Sequence, residues 1–268
     1  MSKPTCSLNI STYNWPSALK LCLQSVLSQK VLPDEVVIAD DGSGPETKVV
    51  IDEFAAHVSF PVIHVWHEDK GYCLPEIQNK AIVKSSGDYI IQIDGDCLLH
   101  PLFIADHLRF AKKNTFVCGT RSMINENFTN ELLHKGNLSF PLNIKGHLSK
   151  KFNAVYYVPL AALHYWFQRT RKNYLYVKGC NMAFWKKDLL KVNGHNESFI
   201  GWGKEDNDIA LRLLNTGVGI RFAKFCTIQY HLYHKDSGKS GVNSSEALLR
   251  VTELKGLTYT TNGIVKGG

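Results

Sequence analysis

Apolar and polar positions along the first hundred residues predict strands and helices in alternation. The strand-like apolar runs span residues 6–11, 35–40, 61–66 and 88–94. The helical patterns, with apolar side chains on one face, span residues 17–29, 47–57 and 74–86. Such alternation predicts an α/β fold in which helices flank a mixed, mostly parallel sheet.

The pattern is less regular after residue 105. The predicted elements are a strand at 176–185, a short helix at 187–192, a glycine loop leading into a helix at 199–217, and one or two strands at 220–234. Residues 120–175 have weak periodicity and many aromatics, and the last thirty residues are polar and weakly patterned. We expect one domain made of two halves, residues 1–105 and 106–236, followed by a tail at 237–268. The second half would contain an insertion at 120–175.

Polar residues cluster where each of the first four predicted strands ends. The clusters are Thr12-Tyr13-Asn14, Asp40-Asp41, Glu68-Asp69 and Asp94-Gly95-Asp96. A single cluster would be ordinary turn chemistry, because Asp and Gly favour turns. Ligands of open α/β sheets bind beyond the carboxyl ends of the strands, so four clusters at those ends predict one site.

The tripeptide Asp94-Gly95-Asp96 is the first candidate for metal chemistry. Carboxylates two positions apart on an extended chain point to the same side, and the glycine lets a ligand approach. Oxygen ligands of this kind suit Mg²⁺ or Mn²⁺ bridging a diphosphate. Two histidines, His231 and His234, follow a predicted strand and could complete that metal site or contact a phosphate; they could equally be structural.

The run Gly201-Trp202-Gly203-Lys204-Glu205-Asp206 forms a second constellation. A tryptophan between glycines could be a platform for the apolar face of a sugar, beside the carboxylates of Glu205 and Asp206. The structural alternative is that the acids at 206, 208 or both only cap a helix, where they interact favourably with its dipole.

Charge is distributed unevenly along a chain of 268 residues with a net charge of +7. Residues 132–187 contain ten Lys and Arg and no Asp or Glu. Within it, an apolar stretch at 152–167 is flanked by Lys150-Lys151 and by Arg169, Arg171 and Lys172. The region 145–172 could therefore lie on an anionic membrane surface, or contain a core helix with basic ends. It has no recognisable nucleic-acid-binding motif, so no nucleic-acid partner is expected.

Cellular location is an expectation from what the sequence lacks. Seven scattered cysteines without a CxxC pair favour buried thiols in a reducing compartment over disulfides or a zinc site. No apolar stretch is long enough to span a membrane, and the first residues do not resemble a secretory signal. We expect a cytoplasmic protein, peripheral on the inner face of the plasma membrane if residues 145–172 bind lipid.

Together these residues resemble GT-A-type glycosyltransferases of the large inverting family 2. The first half matches that pattern as STYNWPSALKLCLQSVLSQ, ADDGS, EDKGYCLPEIQNKAI and SSGDYIIQIDGDCLLHP. The second half resembles the galactosyltransferase-type module of β-1,4-galactosyltransferases, polypeptide N-acetylgalactosaminyltransferases and bacterial chondroitin polymerases, as VKGCNMAFWKKDLLKVNG, FIGWGKEDNDIALRLLNTG and YHLYHK.

The resemblance implies a role for each matched residue. The uracil and ribose of a UDP-sugar would be held by Thr12, Tyr13, Asn14, Asp40, Asp41, Gly71, Asn79 and Asp94. Metal ligands would be Asp96 and His231, with Asp94 contacting ribose or metal and His234 a less certain ligand. The sugars would border Gly179, Asn181, Trp202 and Gly203. Asp206 would be the catalytic base, with Glu205 orienting the acceptor. Family members often have an arginine where this chain has Gln78, so one base or phosphate contact differs.

The activity implied is transfer of a hexose or N-acetylhexosamine from a UDP-sugar to a hydroxyl of a glycan or lipid-linked glycan, with Mn²⁺ or Mg²⁺, in bacterial lipopolysaccharide or capsule synthesis. Two alternatives belong to other classes. A sugar nucleotidyltransferase would share the sheet and the acidic metal site, but residues 11–17 lack a glycine- and arginine-rich triphosphate loop. A non-catalytic module could use the basic region to bind an anionic ligand.

Overall fold

The structure is a computed structural model that describes residues 3–139, 142, 144, 146–167, 173–201, 203–235 and 242–267. In chain order, the strands and helices of these residues are β1 (Cys6–Thr12), α1 (Pro16–Leu27), β2 (Glu35–Asp40), α2 (Pro45–Ala55), β3 (Val62–Trp66), α3 (Leu74–Lys84), β4 (Tyr89–Asp94), β5 (Cys97–Leu99), α4 (Phe103–Phe110), β6 (Thr115–Cys118), β7 (Thr120–Ile124), α5 (Glu126–Lys135), β8 (Leu148–Ser149), α6 (Val158–Phe167), β9 (Asn181–Trp185), α7 (Lys186–Lys191), α8 (Glu205–Asn215), β10 (Gly219–Phe222), β11 (Ile228–His231) and α9 (Val242–Lys255).

The main sheet is mixed and mostly parallel, as the sequence predicts. Its order over the described residues is β10-β6-β9-β4-β1-β2-β3. β1 pairs in parallel with β2 and β4, and β2 pairs in parallel with β3. Only β9 runs against its neighbours β4 and β6. Every residue of β1 and β2 is buried, because helices cover both faces of these apolar runs.

A smaller sheet adjoins the carboxyl end of β4. Its order is β5-β11-β7-β8, with β11 antiparallel to β5 and parallel to β7. The chain passes from β4 through Gly95 directly into β5, so the acidic tripeptide lies where the two sheets meet. The backbone N–H of Leu232, just after β11, donates to the carbonyl of Asp96 at 2.9 Å. Residues far apart in sequence therefore converge at this junction.

Two predicted elements of the second half differ from the structure. The strand predicted at 176–185 covers only Asn181–Trp185, because residues 174–176 form a short 3₁₀ helix and the chain turns before β9. The stretch at 220–234 forms two strands, and they belong to different sheets: β10 pairs with β6, and β11 with β5 and β7.

The last thirty residues contain α9, which the weak pattern did not indicate. α9 packs against α8, with Leu249 joining Phe199 and Leu211 in a small apolar cluster. α9 also contacts α8 through a hydrogen bond, in which the hydroxyl of Thr252 donates to Asp208 at 2.6 Å. Further along, the amide of Asn193 donates to backbone carbonyls of 260 and 265. Polar contacts of this kind leave no hydrophobic periodicity, so the pattern of apolar residues does not predict this helix.

No helix within the described parts of the chain is both long and apolar enough to cross a membrane.

Candidate functional site

The ends of β1, β2 and β3 are joined by hydrogen bonds, as the four polar clusters predicted. The N–H of Asp41 donates to the carbonyl of Thr12 at 3.0 Å. The hydroxyl of Tyr13 donates to Oδ2 of Asp69 at 2.9 Å. Oδ1 of Asp41 lies 2.7 Å from Nε2 of His67, and its Oδ2 accepts from the N–H of Cys73 at 3.0 Å. Side chains from three strand ends thus form one wall.

Two polar residues of this wall shape the backbone. Asp40 is buried, accepts from the N–H of Ser43 at 2.8 Å and contacts Nε2 of His64 at 2.8 Å. Asn14 has a left-handed backbone (φ 44°), and its side-chain oxygen accepts from the N–H of Gly44 at 2.9 Å. Both residues fix the turns that follow β1 and β2, and their predicted contacts with a nucleotide stay predictions.

Gly95 brings the acidic tripeptide close to β1. Its N–H donates to the carbonyl of Ser11 at 2.7 Å. A Cβ at this position would lie 3.1 Å from that carbonyl and 3.3 Å from Cβ of Thr12, so glycine permits the close approach. Burial raises the pKa of Asp94 well above its usual range, and the charges of Cys180, Asp96 and Asp206 raise it further. Asp94 therefore interacts with the acids on both sides of the site.

A cluster that could hold a metal ion contains Asp96, His231 and His234. One ligand atom from each residue lies within 4.8 Å of the other two. Nε2 of each imidazole is 3.4 Å from Oδ2 of Asp96. Nδ1 of His231 lies 2.6 Å from the carbonyl of Leu232, which orients the ring with Nε2 towards the carboxylate. Burial lowers the pKa of His231, which favours the neutral imidazole that binds metals.

The donor set of this cluster fits a divalent first-row metal. One carboxylate oxygen and two imidazole nitrogens suit a transition ion such as Mn²⁺ better than Mg²⁺, which prefers oxygen ligands. Both histidines belong to the cluster, whereas the family resemblance made His231 the expected ligand and His234 a less certain one.

Glu205 and Asp206 form the first turn of α8, which begins after two glycines with left-handed backbones, Gly201 and Gly203. The N–H of Gly179 donates to Oδ2 of Asp206 at 2.8 Å. Desolvation by burial raises the pKa of Asp206 to about 6, and burial together with the charge of Asp206 raises the pKa of Glu205 to about 8. Within the described chain, Oδ1 of Asp206 and Oε2 of Glu205 are buried without a hydrogen-bond partner.

These two carboxyl oxygens have no hydrogen-bond partner among the described residues. A buried polar atom without a partner is costly, so such atoms in a native fold call for an explanation. A hydroxyl of a bound ligand would satisfy them. The nearby Asp208, by contrast, forms a buried ion pair with Arg212 at 2.8 Å and is structural.

Some predicted site residues make their side-chain contacts within the protein. The amide of Asn79 donates to the carbonyl of His195 and to Glu197, at 2.9 and 2.8 Å. The amide of Asn181 donates to carbonyls of 120 and 227 at 3.0 and 2.9 Å. Their predicted contacts with nucleotide and sugar stay predictions. Gly71 has a left-handed backbone (φ 82°) next to Asp69.

Trp202, predicted to contact the sugars, lies outside the described residues. The same holds for Lys145, Arg169, Arg171 and Lys172 of the basic region.

Two residues in the site, Tyr72 and Arg121, were not identified from the sequence. Burial raises the pKa of Tyr72, which lies close enough to Glu205 and Asp206 for their charges to raise that pKa further. Arg121 of β7 donates to Sγ of Cys180 at 3.5 Å. Each had a weak signal: Tyr72 follows Gly71 inside a quoted motif, and Arg121 is a lone charge in an otherwise uncharged strand. Neither signal indicates a site without the fold.

The fold is that of a glycosyltransferase of the GT-A type. The family model described as "Glycosyl transferase family 2" matches residues 7–173, and the chain belongs to that family. A second model, "N-terminal domain of galactosyltransferase", matches residues 162–235. The resemblance seen in the sequence is thereby confirmed.

Individual relatives agree with this assignment. The chain is 26% identical to the chondroitin synthase of Escherichia coli over 229 residues, which is 80% of this chain but 33% of that protein. Two solved structures are similar in fold. GalNAc-T7, solved with UDP, GalNAc and Mn²⁺, has a TM-score of 0.64 at 17% identity, over 93% of this chain and 48% of that one.

The second is a mannosyltransferase from Pyrobaculum calidifontis, solved with GDP-Man and Mn²⁺. It has a TM-score of 0.59 at 15% identity, over 95% of this chain and 63% of that one. At this identity both likenesses show the fold alone, and the two structures contain different nucleotides. The chain spans about a third of the length of the chondroitin synthase.

Proposed function

We propose that the protein transfers a hexose or N-acetylhexosamine from a UDP-sugar to a hydroxyl of a glycan, with inversion and with the help of a divalent cation. The observation that carries this proposal is the pairing of a cation cluster with an unsatisfied carboxylate. Asp96, His231 and His234 form the cluster. Asp206 has a buried oxygen without a donor, and Asp94 interacts with both Asp96 and Asp206.

The chemistry divides between these two groups. A cation held by the cluster would stabilise the negative charge on the departing diphosphate. An acceptor hydroxyl is a poor nucleophile until its proton is removed, and a positioned base typically contributes about 10²–10⁴-fold. Asp206, with a pKa of about 6, can take that proton near neutral pH. As Asp206 takes the proton, the acceptor oxygen bonds to C1 on the face opposite the diphosphate and the C1–phosphate bond breaks, which inverts the configuration at C1.

Glu205 would orient the acceptor. Its raised pKa, about 8, keeps a proton on this carboxyl near neutral pH, so it can donate a hydrogen bond while Asp206 accepts one. The wall of Thr12, Tyr13 and Asp41 would hold the uridine. A bacterial surface polysaccharide is the proposed acceptor class, since the chondroitin synthase relative is a bacterial polysaccharide enzyme by name.

A screen of UDP-sugars for Mn²⁺-dependent hydrolysis tests the proposal. We expect release of UDP from one or a few donors, abolished by EDTA and restored by Mn²⁺. The variant Asp206→Asn should lose transfer and still bind UDP. No hydrolysis of any nucleotide sugar with Mn²⁺ or Mg²⁺ would contradict the proposal, and wild-type transfer by Asp206→Asn would contradict the choice of base.

We also propose that residues 145–172 hold the protein against an anionic membrane. The described part of this region exposes Phe152 (81%), Leu163 (53%) and Phe167 (74%), beside Lys150 and Lys151. Apolar side chains next to lysines suit the boundary between headgroups and acyl chains. Co-sedimentation with anionic vesicles at physiological salt tests this. Binding that is lost in Phe152→Ser/Phe167→Ser would support it, and an absence of wild-type binding would refute it.

A further inference from the structure

Arg121 brings a permanent positive charge close to the acids and thiols of the site, and it also interacts with the imidazole of His231. Its strand, β7, lies beside β11, and Arg121 is opposite Gln229 in that pairing. The neighbouring strand β11 ends at His231 of the cation cluster. The guanidinium interacts electrostatically with Asp94 and with Asp206. It therefore lies near the acids of both halves of the site.

The guanidinium is anchored but not neutralised. Nη1 donates to Sγ of Cys180 at 3.5 Å, which fixes the side chain. Among the ion pairs found between described residues, none within 4.0 Å includes Arg121. Its other nitrogens are not among the buried atoms that lack a partner. Among the described residues, the only side-chain hydrogen bond of this half-buried cation is the one to Cys180, so its remaining donors can serve a ligand.

A phosphate is the ligand that this arrangement suits best. The planar fork of an arginine matches phosphate oxygens with two parallel hydrogen bonds. Gln78 of α3, by contrast, is buried, donates to Oγ of Ser11 at 3.3 Å and brings no charge to the cleft.

We propose that Arg121 binds the diphosphate of the donor and stabilises its charge as the sugar leaves. The assignment rests on the proposed function, because it requires a diphosphate-containing substrate in this cleft. It gives a strand of the smaller sheet a direct contact with the leaving group.

Calorimetry with three ligands tests this contact directly. Wild type, Arg121→Met, Arg121→Lys and the surface control Arg250→Met are titrated with UDP, with inorganic pyrophosphate and with uridine, all in Mn²⁺. A charge-assisted hydrogen bond is worth enough to expect that Arg121→Met weakens UDP and pyrophosphate about 10–100-fold. Uridine should change less than about twofold, Arg121→Lys should be intermediate, and Arg250→Met should match wild type.

The outcomes separate the two proposals. Equal affinities of wild type and Arg121→Met for pyrophosphate and UDP would overturn the role of Arg121. So would a parallel loss of uridine affinity, which would indicate a damaged fold. If Arg121→Met does not fold, the comparison passes to Arg121→Gln and Arg121→Lys, and unchanged pyrophosphate affinity in both refutes the contact. Pyrophosphate binding that depends on Arg121, without hydrolysis of any nucleotide sugar, would sustain this assignment and refute the proposed function.

Discussion

Gly179 and Asp206 are in such close contact that no side chain larger than hydrogen fits between them. The N–H of Gly179 donates to Oδ2 of Asp206 at 2.8 Å. A Cβ added at position 179 would lie 2.2 Å from Oδ1 and 2.4 Å from Cγ of the same carboxylate. The turn before β9 therefore sets the position of the proposed base.

Replacing Gly179 should slow sugar transfer without weakening the binding of the nucleotide. In Gly179→Ala the new methyl group displaces the carboxylate of Asp206, and a misplacement of about 1 Å can cost roughly 10²-fold in rate. We expect kcat to fall about 10–100-fold while the affinity for UDP with Mn²⁺ stays within about twofold. Steady-state kinetics and calorimetry measure the two quantities. An unchanged kcat would mean that the contact does not position the base.

The rate of transfer should depend on the protonation of Asp206. Because the pKa of this carboxyl is raised to about 6, the base is protonated and inactive below that pH. We expect kcat/KM to rise about tenfold per pH unit up to about pH 6 and then to level off. Affinity for UDP is measured over the same range as the control. A profile that is flat down to pH 5, with UDP affinity retained, would argue against Asp206.

The buried carboxyl of Glu205 should make the fold less stable as pH rises. Its pKa is about 8 in the folded protein and near 4.5 in an unfolded chain, so the folded state binds this proton more tightly. The stability that the proton provides is present below pH 4.5 and is lost as pH rises towards 8. Glu205→Gln removes this dependence. At pH 8 we expect the free energy of unfolding of Glu205→Gln to exceed that of the wild type by at least about 2 kcal/mol.

Denaturant unfolding at pH 5 and pH 8 measures this difference. The exposed Glu53→Gln is the matched control and should not alter the pH dependence. Identical pH dependence of wild type and Glu205→Gln would show that the carboxyl is solvated in solution.

Replacing the residues of the cation cluster one at a time should weaken cation binding to different degrees. We expect Asp96→Ala and His231→Ala to weaken Mn²⁺ binding in the presence of UDP more than His234→Ala does, since His234 is the exposed member of the three. The exposed His57→Ala serves as control. Mn²⁺ electron paramagnetic resonance titrations report the free ion directly. Wild-type Mn²⁺ affinity in both Asp96→Ala and His231→Ala would place the cation elsewhere.

The ion pair between Asp208 and Arg212 should stabilise the helix that carries the proposed base. Both side chains are buried, and the Nε–Oδ2 distance is 2.8 Å. Asp208→Ala leaves a buried guanidinium without its counter-ion, which typically costs about 3–5 kcal/mol. Asp52→Ala breaks the exposed pair with Lys48 and should change stability little. Chemical unfolding compares the two, and equal effects would refute the distinction.

The sequence was most informative where burial creates a repeating pattern. The first four strands and the first three helices were predicted almost to their ends, because runs such as EVVIAD have helices on both faces, whereas the short strand β5 was not predicted. The strand-end clusters also predicted that Thr12, Tyr13, Asp41 and Asp69 would meet. Parallel strands bring their carboxyl ends to one edge, so position in the sheet determines position in the site.

The remaining site residues depend on contacts that no local pattern records. Arg121 enters through a strand of the smaller sheet, and its partner Cys180 comes from the turn before β9. For the same reason, the sequence did not predict that Asn79 and Asn181 form hydrogen bonds within the protein. An asparagine that bonds to backbone carbonyls across the fold looks, in the sequence, like one that faces a ligand.

The hydrogen bond from Thr252 to Asp208 has a practical consequence for the design of C-terminal truncations. A fragment ending at residue 236 would retain every motif quoted for the family, yet it would lack this bond and the carbonyl partners of Asn193. Its helix α8 would be bare along the side now covered by α9. Such a fragment should express poorly, and an inactive preparation of it would say nothing about the chemistry of the intact enzyme.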